Sequence, residues 1–238
     1  MSFIIFIFNE FLYRPLLNVL VLLCEYIPGA DFGFAIIILT IFIKLIFYPL
    51  GTKAIKSQKA LTDIQPKIKE IQEKYKDDKE KQGKELLDLY KREKINPLSG
   101  FLPILIQLPV LIAVYRVFWK GFSQEQLSLL YSFVPNPGKI SSMFLGFIDL
   151  SKTNITMAIL VGIIQFLQLK FLSPKKEKNK SNDLSEKLQK QMQYFMPVFV
   201  VMIVWSLPSA ISLYFLVTTI FTIIQQYIII KKSHVKPE

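Results

Sequence analysis

Lys44 is a cation set inside an apolar run, the stretch GFAIIILTIFIKLIFYPL of residues 33–50. A charge at membrane depth costs roughly 2.5–3.5 kcal/mol on insertion scales. No Asp or Glu lies in this run, or in the other long apolar runs, to cancel it. Such a cation marks a wet site whose chemistry is recognition of anionic and polar groups, with no bond made or broken. Thr40, Lys44 and Tyr48 stand at i, i+4 and i+8, the spacing that shares one helix face. Gln107 lies in a second apolar run, Gln165 and Gln168 in a third, and Thr218, Thr222 and Gln225 in the last. Polar faces from four helices turned toward each other predict a hydrated cavity around Lys44. The alternative is interhelical hydrogen bonding, which holds many membrane bundles together at about 0.6–2 kcal/mol per contact. Lys44 is about 9 Å along the helix from Leu50. Its stem can snorkel part of that distance, so a cavity would open toward the side that follows residue 50.

The elements that must position these groups come from the apolar blocks. The chain has 238 residues, 52% hydrophobic, and its apolar residues are grouped in runs. The runs are Gly33–Leu50, Phe101–Phe122, Asn154–Leu172 and Tyr194–Ile230, the last cut by Leu207-Pro208-Ser209. This predicts an all-α membrane protein with five spans, at 33–50, 101–122, 154–172, 194–207 and 209–230. The fourth, only 14 residues long, reaches about 21 Å against a hydrocarbon core of about 30 Å and should thin the bilayer beside it. The net charge is +11, and residues 51–100, 173–193 and 231–238 hold 13, 6 and 3 of the 29 Lys and Arg. Five alternating spans put all three segments on one side, which the positive-inside rule makes cytoplasmic, with the N-terminus outside.

Residues 1–32 are expected to hold a helix lying on the outer surface. Glu10, Arg14, Asn18 and Glu25 form one polar arc over residues 9–27, and a sixth span is the alternative. A removed signal peptide is not expected, since a basic start and a small-residue cleavage site are lacking. Residues 51–100 read as a mobile cytoplasmic helical hairpin. Its seam is Leu61, Ile64, Ile68, Ile71 and Tyr75, and its partner helix presents Leu86, Leu87, Leu89 and Tyr90. Residues 123–153 form an outer loop. The loop 173–193 is Lys/Asn/Ser-rich and reads as disordered, and 231–238 as a short tail. Lys175, Lys176, Lys178, Lys231 and Lys232 could meet ribosomal RNA phosphates; a topology signal with attraction to anionic lipid is the equal alternative. Arg116 is expected to snorkel to the outer headgroups. Cys24 is the single cysteine and His234 the single histidine, so no disulfide, metal, cofactor or enzyme chemistry is expected.

Four segments together resemble the YidC/Oxa/Alb family of membrane protein insertases: DFGFAIIILTIFIKLIFYPL, SQKALTDIQPKIKEIQEKYKDD, ELLDLYKREKINPLSGFLPILIQLPVLIAVYRVFW and MPVFVVMIVWSLPSAISLYFLVTTIFTIIQQYII. The resemblance covers nearly all of the chain beyond residue 9. It implies a five-helix core with a hydrophilic groove open to the cytoplasm and lipid and closed outside. The family typically has Arg where this chain has Lys44, and Lys keeps the charge without the planar bidentate fork. The resemblance further implies an insertase for nascent membrane proteins in the plasma or inner membrane. Contacts with the ribosome, the Sec translocon and lipids, and a functional monomer, go with that reading. The rival functions are a small-solute carrier or channel, and an assembly factor whose hairpin docks a partner. Coupled carriers usually place carboxylates near the midplane and are often built from repeated halves; neither is visible here.

Overall fold

The computed structural model describes residues 3–26, 31–96, 98, 102–120, 123–138, 140–172, 195 and 197–234. Helix α1 (Phe3–Phe8), one π-helical turn (Asn9–Tyr13) and α2 (Arg14–Tyr26) form a continuous rod. There follow α3 (Phe32–Ile46), α4 (Tyr48–Asp63), α5 (Gln65–Lys74), α6 (Lys79–Arg92), α7 (Leu102–Lys120) and the short α8 (Gln124–Leu127). A two-stranded antiparallel turn comes next, β1 (Met143–Phe144) and β2 (Ile148–Asp149). The chain ends with α9 (Ile155–Leu172), α10 (197–205) and α11 (Ser209–His234). Helices suit the apolar runs because they satisfy every backbone group internally. Large apolar side chains nevertheless stand exposed along α3, α9, α10 and α11, among them Phe42, Ile163, Phe199 and Ile224. A soluble protein does not leave such rows uncovered.

Among the described residues, Ile5–Tyr26 and Ser209–Lys231 are each long and apolar enough to cross a membrane, and α3 with α4 would be a third span if counted as one bent pair. Leu105–Trp119 and Ile155–Phe171 are shorter apolar helices. The run 33–50, read from sequence as one straight span, is broken: α3 and α4 meet at 69°. Phe47 leaves the helical region (φ −86°, ψ 7°) and Pro49 sits in the first turn of α4. A proline ring collides with the carbonyl four residues back and supplies no N–H, so the helix turns there. At the other end of the chain, α11 continues through Lys231 and Lys232 to His234, where a short tail was expected.

One apolar core joins the N-terminal rod to the bundle. Leu17 and Leu20 pack with Ile36 and Leu39 of α3, Val110 and Val114 of α7, Leu213 of α11 and Leu150. The β-turn fastens this end. Asp31 Oδ1 caps α3 by accepting from the Gly33 N–H at 2.8 Å, while its Oδ2 accepts from the Leu145 N–H at 2.7 Å. Leu145 has φ +52°, a conformation that side-chain-bearing residues rarely adopt, and the Asp31 bond holds it there. A Cβ on Gly33 would overlap the Phe144 ring. The turn also closes α11: the Ser209 N–H donates to the Lys152 carbonyl at 2.8 Å and the Ala210 N–H to that of Leu150 at 3.0 Å. These are donors that a helix start leaves unmet.

Two sets of polar residues find partners within the protein. The arc of the N-terminal rod meets the segment that follows α8. Asn18 is only 2% exposed; its amide donates to the Leu129 carbonyl and accepts from the Tyr131 N–H. Arg14 donates to Leu129 as well and pairs with Glu10, while Glu25 stays exposed. Irregular backbone needs partners where water is scarce, and this arc supplies them. Arg116 donates to Asn9 Oδ1 at 2.9 Å and sits 4.7 Å from the centre of the Tyr13 ring. An amide and a π face are its partners within the protein.

Helices α5 and α6 pack through Ile64, Ile68 and Leu89, with Ile71, Leu86, Tyr90 and Ile95 around them. Leu61 is not part of this cluster. Pro66 in the first turn of α5 bends the chain at Ile64, so the seam begins one position later than its spacing suggests. Leu87 points away, 58% exposed. Tyr75 ends α5 with Lys74 and Lys81 over its ring, 5.3 and 5.2 Å from the centre.

Candidate functional site

A cavity of about 380 Å3 lies between α3, α4, α7, α9 and α11. Each wall follows from helical spacing. Thr40 and Lys44 are one turn apart on α3, Gln165 and Gln168 nearly one turn apart on α9, and Thr218, Thr222 and Gln225 follow the same rhythm on α11. All of these line the cavity, with Gln107 from α7. Lys44 is half-buried, and its Nζ donates to Thr222 Oγ1 at 3.2 Å. The Thr222 hydroxyl in turn donates to the Thr218 carbonyl at 2.7 Å. Among the described residues Lys44 forms no ion pair, and no lining residue carries a carboxyl group. The cavity is therefore electropositive, and its lining is mixed: Ile43, Phe47, Ile55, Val110 and Leu111 stand among the amides and hydroxyls, which can take the place of water around a polar group.

Tyr48 is the one candidate that stays out. The bend at Phe47 breaks the i, i+4, i+8 register, and the Tyr48 ring packs edge-on to Phe221. Its carbonyl has a role instead. Gln225 Nε2 donates to it at 3.0 Å and to Thr52 Oγ1 at 3.1 Å, which ties the first turn of α4 to α11. Gly51 allows the approach, since a Cβ there would stand 3.2 Å from the Gln225 amide. Gln107 is also engaged: its Nε2 donates to the Tyr214 hydroxyl at 2.6 Å. Thr40 turns its hydroxyl back to the Ile36 carbonyl at 2.6 Å.

Tyr214, Thr219, Gln226 and Gln58 also line the cavity and were not among the candidates. Tyr214 stands four residues before Thr218, so the same spacing could have found it. Gln58 comes within reach only because α4 folds back at the elbow, and nothing in its local sequence announces that. Of the basic candidates, Lys231 is exposed at the end of α11, 5.8 Å from the centre of the Tyr227 ring. Lys175, Lys176 and Lys178 lie outside the described residues.

The model of the 60Kd inner membrane protein family matches residues 23–236. The chain belongs to that family. Over 199 residues it is 36% identical to the membrane protein insertase YidC of Francisella philomiragia subsp. philomiragia, and as similar to that of Francisella tularensis subsp. novicida. Each alignment covers 84% of this chain and 32% of the relative. The chain thus spans about a third of the length of these curated relatives. The sequence resemblance to the insertases holds, and so does the inner-membrane location, which accounts for the uncovered apolar rows. The family match begins within α2, so most of the rod that cradles Arg116 precedes it.

Proposed function

We propose that this chain is a membrane protein insertase and foldase. The observation that carries the reading is Lys44, without an ion pair among the described residues, in a cavity that also presents amides and hydroxyls from α3, α7, α9 and α11, in a chain of the family whose curated relatives are named insertases. A nascent hydrophobic segment with a short polar or acidic tail meets the α5–α6 pair. Its tail enters the cavity, where Lys44, Thr40, Gln107, Gln165, Gln168, Thr218, Thr222 and Gln225 replace part of its water. The apolar segment then passes into lipid along the exposed faces of the bundle. The work is the lowering of a dehydration barrier of a few kcal/mol per buried acid, driven by burial of the client helix.

In this reading α3, α7, α9, α10 and α11 are the five spans. The N-terminal rod lies on the outer surface, although its length would also let it cross. The α5–α6 pair, residues 173–193 and the end of α11 face the cytoplasm. The contacts that close α3 and α11 to the β-turn support a cavity shut on the outer side. The partners are nascent membrane proteins and lipid, with ribosomal RNA and the Sec translocon as further contacts of the basic segments, and the working unit is a monomer. Purified protein in liposomes should insert a small single-span client with no energy source. Liposomes that insert the client equally well without the protein would sink the reading.

A further inference from the structure

The cavity's amides and hydroxyls end abruptly. Along α11 its lining runs through Gln226, Gln225, Thr222, Thr218 and Tyr214 and goes no further toward the β-turn. One level beyond on the neighbouring helices come Ile36, Ala113 and Val114, all buried and all apolar. Tyr214 is the large side chain at this boundary, 2% exposed, with its hydroxyl accepting from Gln107 Nε2. That bond crosses from α7 to α11, so the ring is held by a contact between helices and not by its own rotamer alone. The half-buried Gln107 amide and the buried Tyr214 phenol also supply polar groups for the last waters of the cavity to meet, at the level where the amides and hydroxyls give out.

We propose that Tyr214, pinned by Gln107, is the floor that stops the cavity's water and keeps the bilayer tight to ions while the cavity is hydrated. The inference rests on the insertase reading only for its purpose; its test needs no client. Gln107 is then a positioning residue for the floor, in addition to lining the cavity.

The test uses the full chain with Cys24→Ser, reconstituted in liposomes, carrying a single cysteine at Gln168→Cys on the cavity wall or Val114→Cys beyond the floor. A water-soluble maleimide should label position 168 at least tenfold faster than position 114. Adding Gln107→Leu or the isosteric Tyr214→Phe should raise labelling at 114 several-fold and leave 168 unchanged. Proton leak, read with an entrapped pH dye, should rise in the same variants. Equal labelling of 114 and 168 in the parent would overturn the floor outright, and that comparison needs no floor variant to fold. Unchanged labelling and leak in both floor variants, at unchanged Tm in detergent, would overturn the pinning by Gln107. Failure of the Cys24→Ser chain, carrying neither introduced cysteine, to insert a client would count against the insertase reading and leave these outcomes readable.

Discussion

The same three helices build two unlike halves. Toward the β-turn, α3, α7 and α11 contribute Ala35, Ile36, Ala113, Val114, Ala210 and Leu213, an apolar cluster that the turn stitches shut with backbone bonds. One to three turns away they contribute Thr40, Lys44, Gln107, Thr218, Thr222 and Gln225 to a cavity whose hydrogen bonds are made one side chain at a time. The contrast runs along the helix axes as well as around them. A mean hydropathy or a single helical wheel averages it away.

The comparison can be broken most severely at its charged centre. Lys44→Glu should lower insertion of clients with acidic tails at least tenfold and of neutral-tailed clients much less, while Lys44→Arg keeps both. Equal loss across clients in a liposome insertion assay would remove the cation from the mechanism. On the stitched side, Gly33→Leu forces the Phe144 ring off the start of α3, an overpacking that costs about 3 kcal/mol. It should lower Tm in detergent by roughly 6–12 °C without changing which clients are inserted. Asp31→Ala removes the α3 cap and frees Leu145, a loss of about 1–2 kcal/mol, visible as a smaller Tm decrease and faster amide exchange at Leu145.

The smallest effect is one of pH. Hydrogen bonds from Ser151 and Ser142 hold the Asp149 carboxyl well below the usual carboxylate range. Its contribution to the turn is therefore complete above about pH 4 and falls away as the solution is acidified further. Exchange at the Ser209 and Ala210 amides should quicken over that acid range in the parent. Asp149→Asn should flatten the dependence.

Much of the cavity was legible because its polar residues sit at helical spacing in runs otherwise dominated by apolar residues: Thr40 with Lys44, Gln165 with Gln168, Thr218 with Thr222. Tyr48 was misplaced because its spacing presumes a straight helix and Pro49 ends one. Leu61 failed in the same way before Pro66. The apolar blocks marked the helices well, but the strands at Met143–Phe144 and Ile148–Asp149 are two residues each, too short for any alternation to register. The polar arc of the N-terminal rod was visible as an arc. Its partner was not, since the carbonyl of Leu129 more than a hundred residues away leaves no trace in local pattern.

The elbow at Phe47 is where any pivot of α4 against α3 would be centred. Beyond it, α4 and α5 run 27 residues to Lys74, a contour of about 40 Å at 1.5 Å per residue. A pivot of about 10° at that joint would sweep the far tip by up to about 7 Å, given that contour. The Gln225 amide grips the lever one turn from its fulcrum. A slight slackening of that grip would be magnified into a wide arc at the tip.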